Sequence, residues 1–241
     1  HDGFDAGERA VTPALRALGV HRLDAAVVSH GDNDHAGGWP AVRREFPVSR
    51  SYAPEGSPTR ASARCLADRS WRWDGVTFRF LHPTRYFPYL GNEAGCVVRI
   101  EGARHSALLT ADIGGVVERS LLRRASGSLR ADVVVVAHHG SDGSSDPDFI
   151  AATGAKFALM SSGWGNRFGH PRPQVVRRWC AAGAEVADTS REGALTVRMN
   201  ADGITLTRRR RAHPRLWDAA RRAGAERWSC AIRAVPHASG S

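Results

Sequence analysis

The protein has 241 residues and a mass of 26.1 kDa, with 42% hydrophobic and 24% charged residues. This composition fits one large globular domain or two small ones, and it excludes collagen, a coiled coil and wholesale disorder. The formal net charge of +10 is concentrated near the C-terminus, because residues 208–241 contain nine arginines and only two acids. The body of the chain is therefore close to neutral, and charge alone does not indicate nucleic-acid binding.

The chain contains no run of the roughly 18 apolar residues that a membrane helix needs. Its N-terminus also lacks the basic and apolar regions of a signal peptide.

The first half of the chain predicts short helices and strands. Apolar residues at helical spacing start the pattern, and Asp74-Gly75 between two alternating runs is typical of a hairpin. In chain order we expect a helix over 11–18, a strand over 23–29, a helix end over 39–46, little order over 49–70, a hairpin over 71–81, and paired strands over 96–100 and 106–110.

The second half alternates between helical and extended patterns. We expect helices over 116–122, 147–153 and 173–182, and strands over 133–136, 157–161, 184–188, 194–199 and 203–207. Helices that alternate with strands after an antiparallel region indicate a layered α/β or α+β domain. We assign this domain to residues 1–207.

The C-terminal segment, residues 208–241, differs in composition from the domain. It is rich in arginine and small residues, so we expect a poorly ordered, solvated tail. An arm that binds nucleic acid or an anionic membrane is the alternative. The four cysteines, at positions 65, 96, 180 and 230, are widely scattered and form no CxxC pair, so we expect isolated buried thiols rather than a disulfide framework.

A cluster of metal-ligand residues follows the first predicted strand. His30, Asp32, Asp34 and His35 lie within six residues, one residue before Gly37-Gly38. Mixed imidazole and carboxylate ligands suit Zn²⁺, Mn²⁺ or Fe rather than a metal that prefers thiolates. The sequence therefore predicts a divalent metal site at this strand end.

Three further positions match this chemistry. Asp112 ends an apolar strand, where an unpaired carboxylate is rare, so it either caps a helix or contacts a metal. His138-His139 ends another buried strand, and we expect at least one of the two to be a ligand. His170, in a Gly-His-Pro sequence, is a fourth candidate for the same site.

These motifs, in this order, resemble the metallo-β-lactamase superfamily. More closely, they resemble the soluble metallo-β-lactamase-like domain of ComEC-type competence proteins, which move transforming DNA across the bacterial cytoplasmic membrane. The resemblance covers residues 4–200 and includes the sequences at 4–9, 166–171 and 191–194. It implies a metallo-β-lactamase-like αββα sandwich that lacks its N-terminal strands.

The resemblance also implies roles for the metal ligands. One metal site would use His30 and Asp32, the other Asp34, His35 and a histidine from His138-His139, with Asp112 bridging the two. The family pattern favours His139 but leaves the choice open. His82 and Asn92 are candidates for a ligand that has no obvious match in this chain.

Two departures from the family pattern accompany these roles. Asp32 replaces the histidine of many relatives, and Ala111 replaces the usual glycine before Asp112. The catalytic groups would be Asp34, with His170 as proton donor or further ligand, and Ser141. The Ser141 hydroxyl would bind phosphate, or it would cap a helix instead.

The implied function is a metal-dependent phosphodiesterase that acts on DNA during natural transformation, with one or two Zn²⁺ or Mn²⁺ ions and no nucleotide cofactor. Its partners would be DNA and the membrane-channel part of the same parent protein, on the outer side of the bacterial cytoplasmic membrane. Two alternatives stay open. One is a metallo-hydrolase of a small phosphodiester, lactone or thioester, and the other is a non-catalytic DNA-guiding domain with a weak metal site.

Overall fold

The computed structural model describes residues 5–225, 228 and 230. The strands in chain order are β1 (Ala26–Val27), β2 (Ser51–Ala53), β3 (Ala63–Arg64), β4 (Ser70–Trp73), β5 (Val76–His82), β6 (Val97–Glu101), β7 (Ser106–Leu109), β8 (Val133–Val135), β9 (Phe157–Met160), β10 (Glu185–Asp188), β11 (Leu195–Asn200) and β12 (Gly203–Arg208). The α-helices are α1 (Thr12–Ala17), α2 (Asn33–Ala36), α3 (Trp39–Glu45), α4 (Gly115–Ala125), α5 (Pro147–Thr153), α6 (Pro173–Ala181), α7 (Thr189–Glu192), α8 (Arg209–Ala212) and α9 (Ala219–Arg222).

A mixed seven-stranded sheet forms the centre of the fold, in the order β10-β9-β8-β7-β6-β5-β4. Strands β7 to β10 run parallel, and β4 to β7 pair antiparallel. The β-branched run Val133–Val135 lies between β7 and β9 in this sheet, as expected for a strand covered on both faces. The predicted hairpin over 71–81 and the predicted strand pair at 96–110 are confirmed.

One face of this sheet is covered by α4, α5 and α6. Leu121, Phe149 and Trp179 from these helices are fully buried, and they form one core cluster with Leu108 and Val134 of the sheet. Side chains alternate between the faces of a strand, so the neighbours of Leu108 and Val134 point to the opposite side.

The opposite face carries a second, three-stranded parallel sheet, in the order β1-β2-β3. Tyr52 of this small sheet packs with Phe80 and Val98 of the large one. On the outer side, Trp39 of α3 packs in one cluster with Val28. The layers thus run helix, sheet, sheet, helix, which confirms the predicted αββα sandwich.

The β11-β12 hairpin covers the remaining part of this face. It leads into α8 and α9, which lie within the segment predicted as a tail. Arg208 pairs with Glu192, and Arg210 pairs with Asp218 at 2.5 Å. Residues 226, 227, 229 and 231–241 of that segment lie outside the described residues.

Two expectations from the sequence are wrong. The segment 49–70 contains β2 and β3, and every residue of β2 is buried. The cysteines are not isolated thiols, because Cys65 pairs with Cys96 and Cys180 with Cys230. The Cα–Cα distances of 6.0 and 5.0 Å lie within the range that a disulfide spans. Among the described residues, no helix combines the length and apolarity needed to cross a membrane.

Candidate metal centre

The predicted ligands meet at one edge of the two sheets. His30 follows β1, Asp112 follows β7 and His139 follows β8. Strands β7 and β8 are parallel, so their carboxyl ends lie side by side at the same edge. The short helix α2 adds Asp34 and His35 from the loop after β1.

Four side chains converge there: Asp34, His35, Asp112 and His139, with one ligand atom from each within 4.8 Å of the others. His35 Nε2 and His139 Nε2 are 3.2 Å apart, and each lies 3.3 Å from Asp112 Oδ2. Asp34 Oδ2 lies 3.3 Å from His139 Nε2 and 3.7 Å from His35 Nε2.

These distances fit a tetrahedral divalent cation. With metal–ligand bonds of about 2.0–2.1 Å, the ligand atoms of a tetrahedral site stand about 3.3–3.4 Å apart. Five of the six separations among these four atoms range from 3.2 to 3.7 Å, and all six lie within 4.8 Å. The donor set of two imidazoles and two carboxylates is also one that Zn²⁺ and Mn²⁺ accept, so the cluster is suited to a divalent metal.

Contacts behind the ligands hold the two imidazoles in a metal-binding tautomer. His139 Nδ1 donates to the carbonyl oxygen of Ser161 at 2.7 Å, which leaves the lone pair of Nε2 directed at the cluster. The Ser29 hydroxyl lies 3.1 Å from the Nδ1 atoms of both His30 and His35. One hydroxyl oxygen has two lone pairs and can accept both N–H groups, so Ser29 serves two histidines at once.

The charges of the cluster are strongly coupled. Burial alone would raise the pKa of Asp112, but hydrogen bonds from His139 and His35 hold that pKa well below its usual range. The hydrogen bond to Asp112 in turn raises the pKa of His139 to about 9. The Asp112 carboxylate thus favours a positive charge among the four side chains, and either a proton on His139 or a bound metal cation supplies that charge.

His30 and Asp32 lie beside this group rather than within it. His30 is fully buried, and its Nε2 has no hydrogen-bond partner among the described residues; it lies 3.8 Å from the exposed Asp32 Oδ2. Burial lowers the pKa of His30, and the nearby His35 acts in the same direction. A buried, neutral imidazole nitrogen without a partner is a fitting ligand for a second cation.

The family model of the metallo-β-lactamase superfamily matches residues 3–164, well over half of the chain. The chain belongs to the metallo-β-lactamase superfamily. It is 37% identical to Competence protein ComA of Neisseria gonorrhoeae, over 85% of this chain and 29% of that protein.

Two further relatives are more distant. Recombination protein 2 of Haemophilus influenzae is 29% identical over 86% of this chain and 26% of the relative. ComE operon protein 3 of Bacillus subtilis is 28% identical over 81% of this chain and 27% of the relative. The chain therefore spans less than a third of the length of these curated relatives.

The structure separates the two histidines that the superfamily pattern left open. His139 joins the cluster, whereas His138 Nε2 lies 3.4 Å from Asn92 Nδ2. The ring of His138 is 6.0 Å from that of His170. His170 Nδ1 is buried with no partner among the described residues, and burial is the main cause that lowers the pKa of this residue. These three side chains form a polar group next to the metal ligands.

Two other candidates have structural contacts of their own. The Ser141 hydroxyl accepts weakly from Gly143 N at 3.4 Å, while the cap of α5 is Asp146. His82 is buried, donates to the carbonyl oxygen of Glu93 at 2.7 Å and accepts from Arg124 at 3.2 Å. Both nitrogens of His82 are therefore engaged away from the cluster, so His82 is not the missing ligand.

The local packing accommodates an alanine at position 111, where the family pattern has glycine. Ala111 has φ +51°, in the left-handed region that favours glycine. Its carbonyl oxygen accepts from His138 N at 3.0 Å, which ties the Asp112 turn to the histidine turn. Gly95 packs against it, and a Cβ on Gly95 would lie 2.8 Å from the Ala111 methyl. A glycine at position 95 thus makes room for the alanine at 111.

A cavity of about 560 Å³ opens beside the cluster, between the two sheets. Asp34, His35, Asp112 and His139 line one side of it. The rest of the lining is largely apolar and includes Trp71. The sequence analysis did not predict this cavity or the roles of Ser29 and the Ser161 carbonyl. A hydroxyl directly before His30 is nevertheless a pattern that could have predicted a hydrogen bond to the histidine ring.

Proposed function

We propose that this protein is a metal-dependent phosphodiesterase that acts on DNA during natural transformation. The observation that carries the hydrolase part is the compact group of two carboxylates and two imidazoles formed by Asp34, His35, Asp112 and His139. Membership of the metallo-β-lactamase superfamily supports the same reaction class. The names of two relatives, a competence protein and a recombination protein, support DNA as the substrate.

One or two divalent ions, Zn²⁺ or Mn²⁺, would bind. The first would take the four-residue group, and a second would take His30 and Asp32, with Asp112 between them. When bound, the cations supply Lewis acidity, which lowers the pKa of nearby water and stabilises charge on phosphate oxygens.

The chain's own residues would complete the reaction. The carboxylates of Asp34 and Asp112 fix the position of charge at the strand ends, and Asp34 is exposed enough to meet substrate. His170 would carry a proton to the leaving alkoxide from its place beside His138, next to the metal ligands. The Ser141 hydroxyl would donate to a phosphate oxygen.

The two disulfides support a position outside the cytoplasm, because disulfides persist in oxidising compartments. We propose that the chain is a domain of a bacterial cytoplasmic-membrane protein and faces its outer side. Its partners would be DNA and the membrane-channel part of the same parent protein. The shorter span of this chain relative to its relatives supports a parent with further domains.

One observation favours a second candidate function. The cavity next to the metal ligands is mostly apolar and, at about 560 Å³, is large enough for a small organic molecule. A lactone, thioester or small phosphodiester with an apolar group would fit this lining better than a DNA backbone does. Both candidates use the same metal ligands and differ in the substrate.

The test measures metal content per folded chain and hydrolysis of three substrates with Mn²⁺ or Zn²⁺: an oligonucleotide, bis(p-nitrophenyl) phosphate and a lactone. We expect bound metal and oligonucleotide cleavage in the wild type, both lost in Asp34→Ala. Asp202→Ala, which removes an exposed carboxylate from the β11-β12 turn, is the matched control and keeps both.

Other outcomes select the alternatives. Cleavage of the lactone or of the small phosphodiester without cleavage of DNA favours the second candidate. A folded wild-type protein that binds no metal contradicts the hydrolase proposal and leaves a DNA-guiding domain.

A further inference from the structure

A second cavity, of about 610 Å³, lies away from the metal ligands and is rich in arginine. It is formed by α7, α8, α9 and the segment between the last two. Its charged lining residues are Arg191, Arg210, Arg211, Arg215, Arg221, Glu192 and Asp218. Five guanidinium groups and two carboxylates therefore surround one space.

The two carboxylates are engaged with particular arginines. Asp218 pairs with Arg210 at 2.5 Å, and Glu192 pairs with Arg208 from outside the cavity. Among the described residues, Arg211, Arg215 and Arg221 form no ion pair with a carboxylate, and all three are exposed. Three uncompensated guanidinium groups at one cavity are a suitable site for phosphate, which arginine binds with paired N–H groups.

An aromatic ring lies next to one of the lining arginines. Trp217 is 70% exposed, and the guanidinium of Arg215 lies 5.5 Å from its ring centre. Exposed aromatic rings beside positive charge are what single-stranded nucleic acids use, because any base can stack on them.

The cavity is connected to the metal centre through one short path. Ser161 accepts from His139, and the next residue, Ser162, exchanges two hydrogen bonds of 2.8 Å with the Thr189 hydroxyl. Thr189 begins α7, which carries Arg191 to the cavity. The arginine cavity and the metal ligands therefore lie at the same end of the sheet, joined by the segments that follow β9 and β10.

We propose that this cavity binds the backbone phosphates of a DNA strand whose scissile linkage reaches the metal centre. This inference rests on the proposed function for the identity of the strand. An extended polyanion can contact two sites at one end of a sheet at the same time, whereas a single small anion occupies only one. The path from α7 to the metal ligands favours DNA over a lipid surface, for which the 78% exposed Leu216 is the matching feature.

The experiment measures binding of a cleavage-resistant phosphorothioate single strand of about 20 nucleotides, longer than a typical single-strand site. The variant Arg211→Ala/Arg215→Ala/Arg221→Ala should raise Kd at least about tenfold. It should also reduce the slope of log K against log salt by about 2, since each phosphate contact on a single strand contributes about 0.7.

The matched control is Arg72→Ala/Arg123→Ala/Arg177→Ala. It removes the same net charge from exposed positions on β4, α4 and α6 and should leave Kd within about twofold of the wild type, because the charges lie outside the cavity. Circular dichroism and metal content of both variants establish that each is folded.

Two results would overturn the proposal. In the first, the two triple variants bind the oligonucleotide equally well. In the second, the cavity variant loses binding to phosphatidylglycerol vesicles but keeps its affinity for DNA, which would assign the arginines to a membrane. Cleavage of an unmodified oligonucleotide by the wild type tests the proposed function separately. Its absence contradicts that function, while the binding comparison still decides the arginine site.

Discussion

The contact between Gly95 and Ala111 allows a quantitative test of the turn that holds Asp112. A methyl added at Gly95 would lie 2.8 Å from the Ala111 Cβ and 3.0 Å from the carbonyl oxygen of Asn92. Carbon atoms in contact prefer about 3.5–4.0 Å, so Gly95→Ala forces the turn to move. We expect this variant to lose about 1–3 kcal/mol of unfolding free energy, the usual cost of overpacking.

The partner substitution should act in the opposite direction. Ala111→Gly removes a left-handed strain of about 1–2 kcal/mol and adds a chain-entropy cost of about 0.5–1 kcal/mol. The net effect is a small stabilisation of about 0.5 kcal/mol. In the double variant the closest contact is gone, and the nearest remaining atom is the Asn92 oxygen at 3.0 Å. The cost of Gly95→Ala should therefore fall by at least about 1 kcal/mol, which is the coupling energy of the pair.

Urea unfolding of the wild type, both single variants and the double variant measures this coupling. Gly127→Ala is the control, because a Cβ there meets nothing within 4 Å. Additivity of the two substitutions within about 0.3–0.5 kcal/mol, or a Gly95→Ala variant as stable as the control, would refute the reasoning.

Three further predictions concern other parts of the fold. Ser29→Ala should weaken metal binding about 10–100-fold, because the hydroxyl that orients the His35 ring is lost. Ser29→Thr keeps a hydroxyl and should restore the metal affinity. Chelator competition measures these affinities, and equal values for the wild type and Ser29→Ala would contradict the prediction. Cys65→Ser/Cys96→Ser should lower the unfolding free energy by about 4 kcal/mol, because the disulfide restricts a loop of 31 residues in the unfolded chain. Urea unfolding measures this loss, and a double variant as stable as the wild type would contradict the pairing. Burial lowers the pKa of His82 to about 4, so the stability that its neutral form contributes is complete above pH 6.5, and the unfolding free energy falls by about 3 kcal/mol as the pH drops to 4. The variant His82→Gln should lack this fall when its unfolding is followed across the same pH range. A variant with the same pH dependence as the wild type would argue against this role of His82.

Local signals in the sequence predicted the elements that depend on neighbours along the chain. The turn at Asp74-Gly75 predicted the β4-β5 hairpin, and the apolar run from Val133 predicted β8. Strands β2 and β3 were missed because they are three and two residues long and pair in parallel with each other and with β1. Parallel strands are not joined by a tight turn, so the sequence of 49–70 carries no turn signal for them. Its polar composition therefore favoured a loop.

The disulfides were missed for a related reason. Cys65 and Cys96 are separated by 31 residues, and Cys180 and Cys230 by 50. Their pairing depends on which strand and helix ends meet, which the sequence spacing does not contain. Cys96 also donates its backbone N–H to the carbonyl oxygen of Ser29 at 2.9 Å, so the Cys65–Cys96 bridge anchors the residue that orients two candidate ligands.

The choice between His138 and His139 shows where sequence reasoning about the site stops. Residues 138, 139 and 140 have φ values of +50°, +54° and +81°, and only Gly140 adopts that region without cost. The turn sets the two imidazole planes 71° apart, with ring centres 6.4 Å apart, so one ring faces Asp112 and the other faces Asn92. The ring that faces Asp112 is fixed by a backbone carbonyl, Ser161 O, at the end of the next strand. Because a backbone acceptor has no side-chain signature, the sequence could name the pair of histidines, but only the neighbouring strand decides which of them joins the cluster.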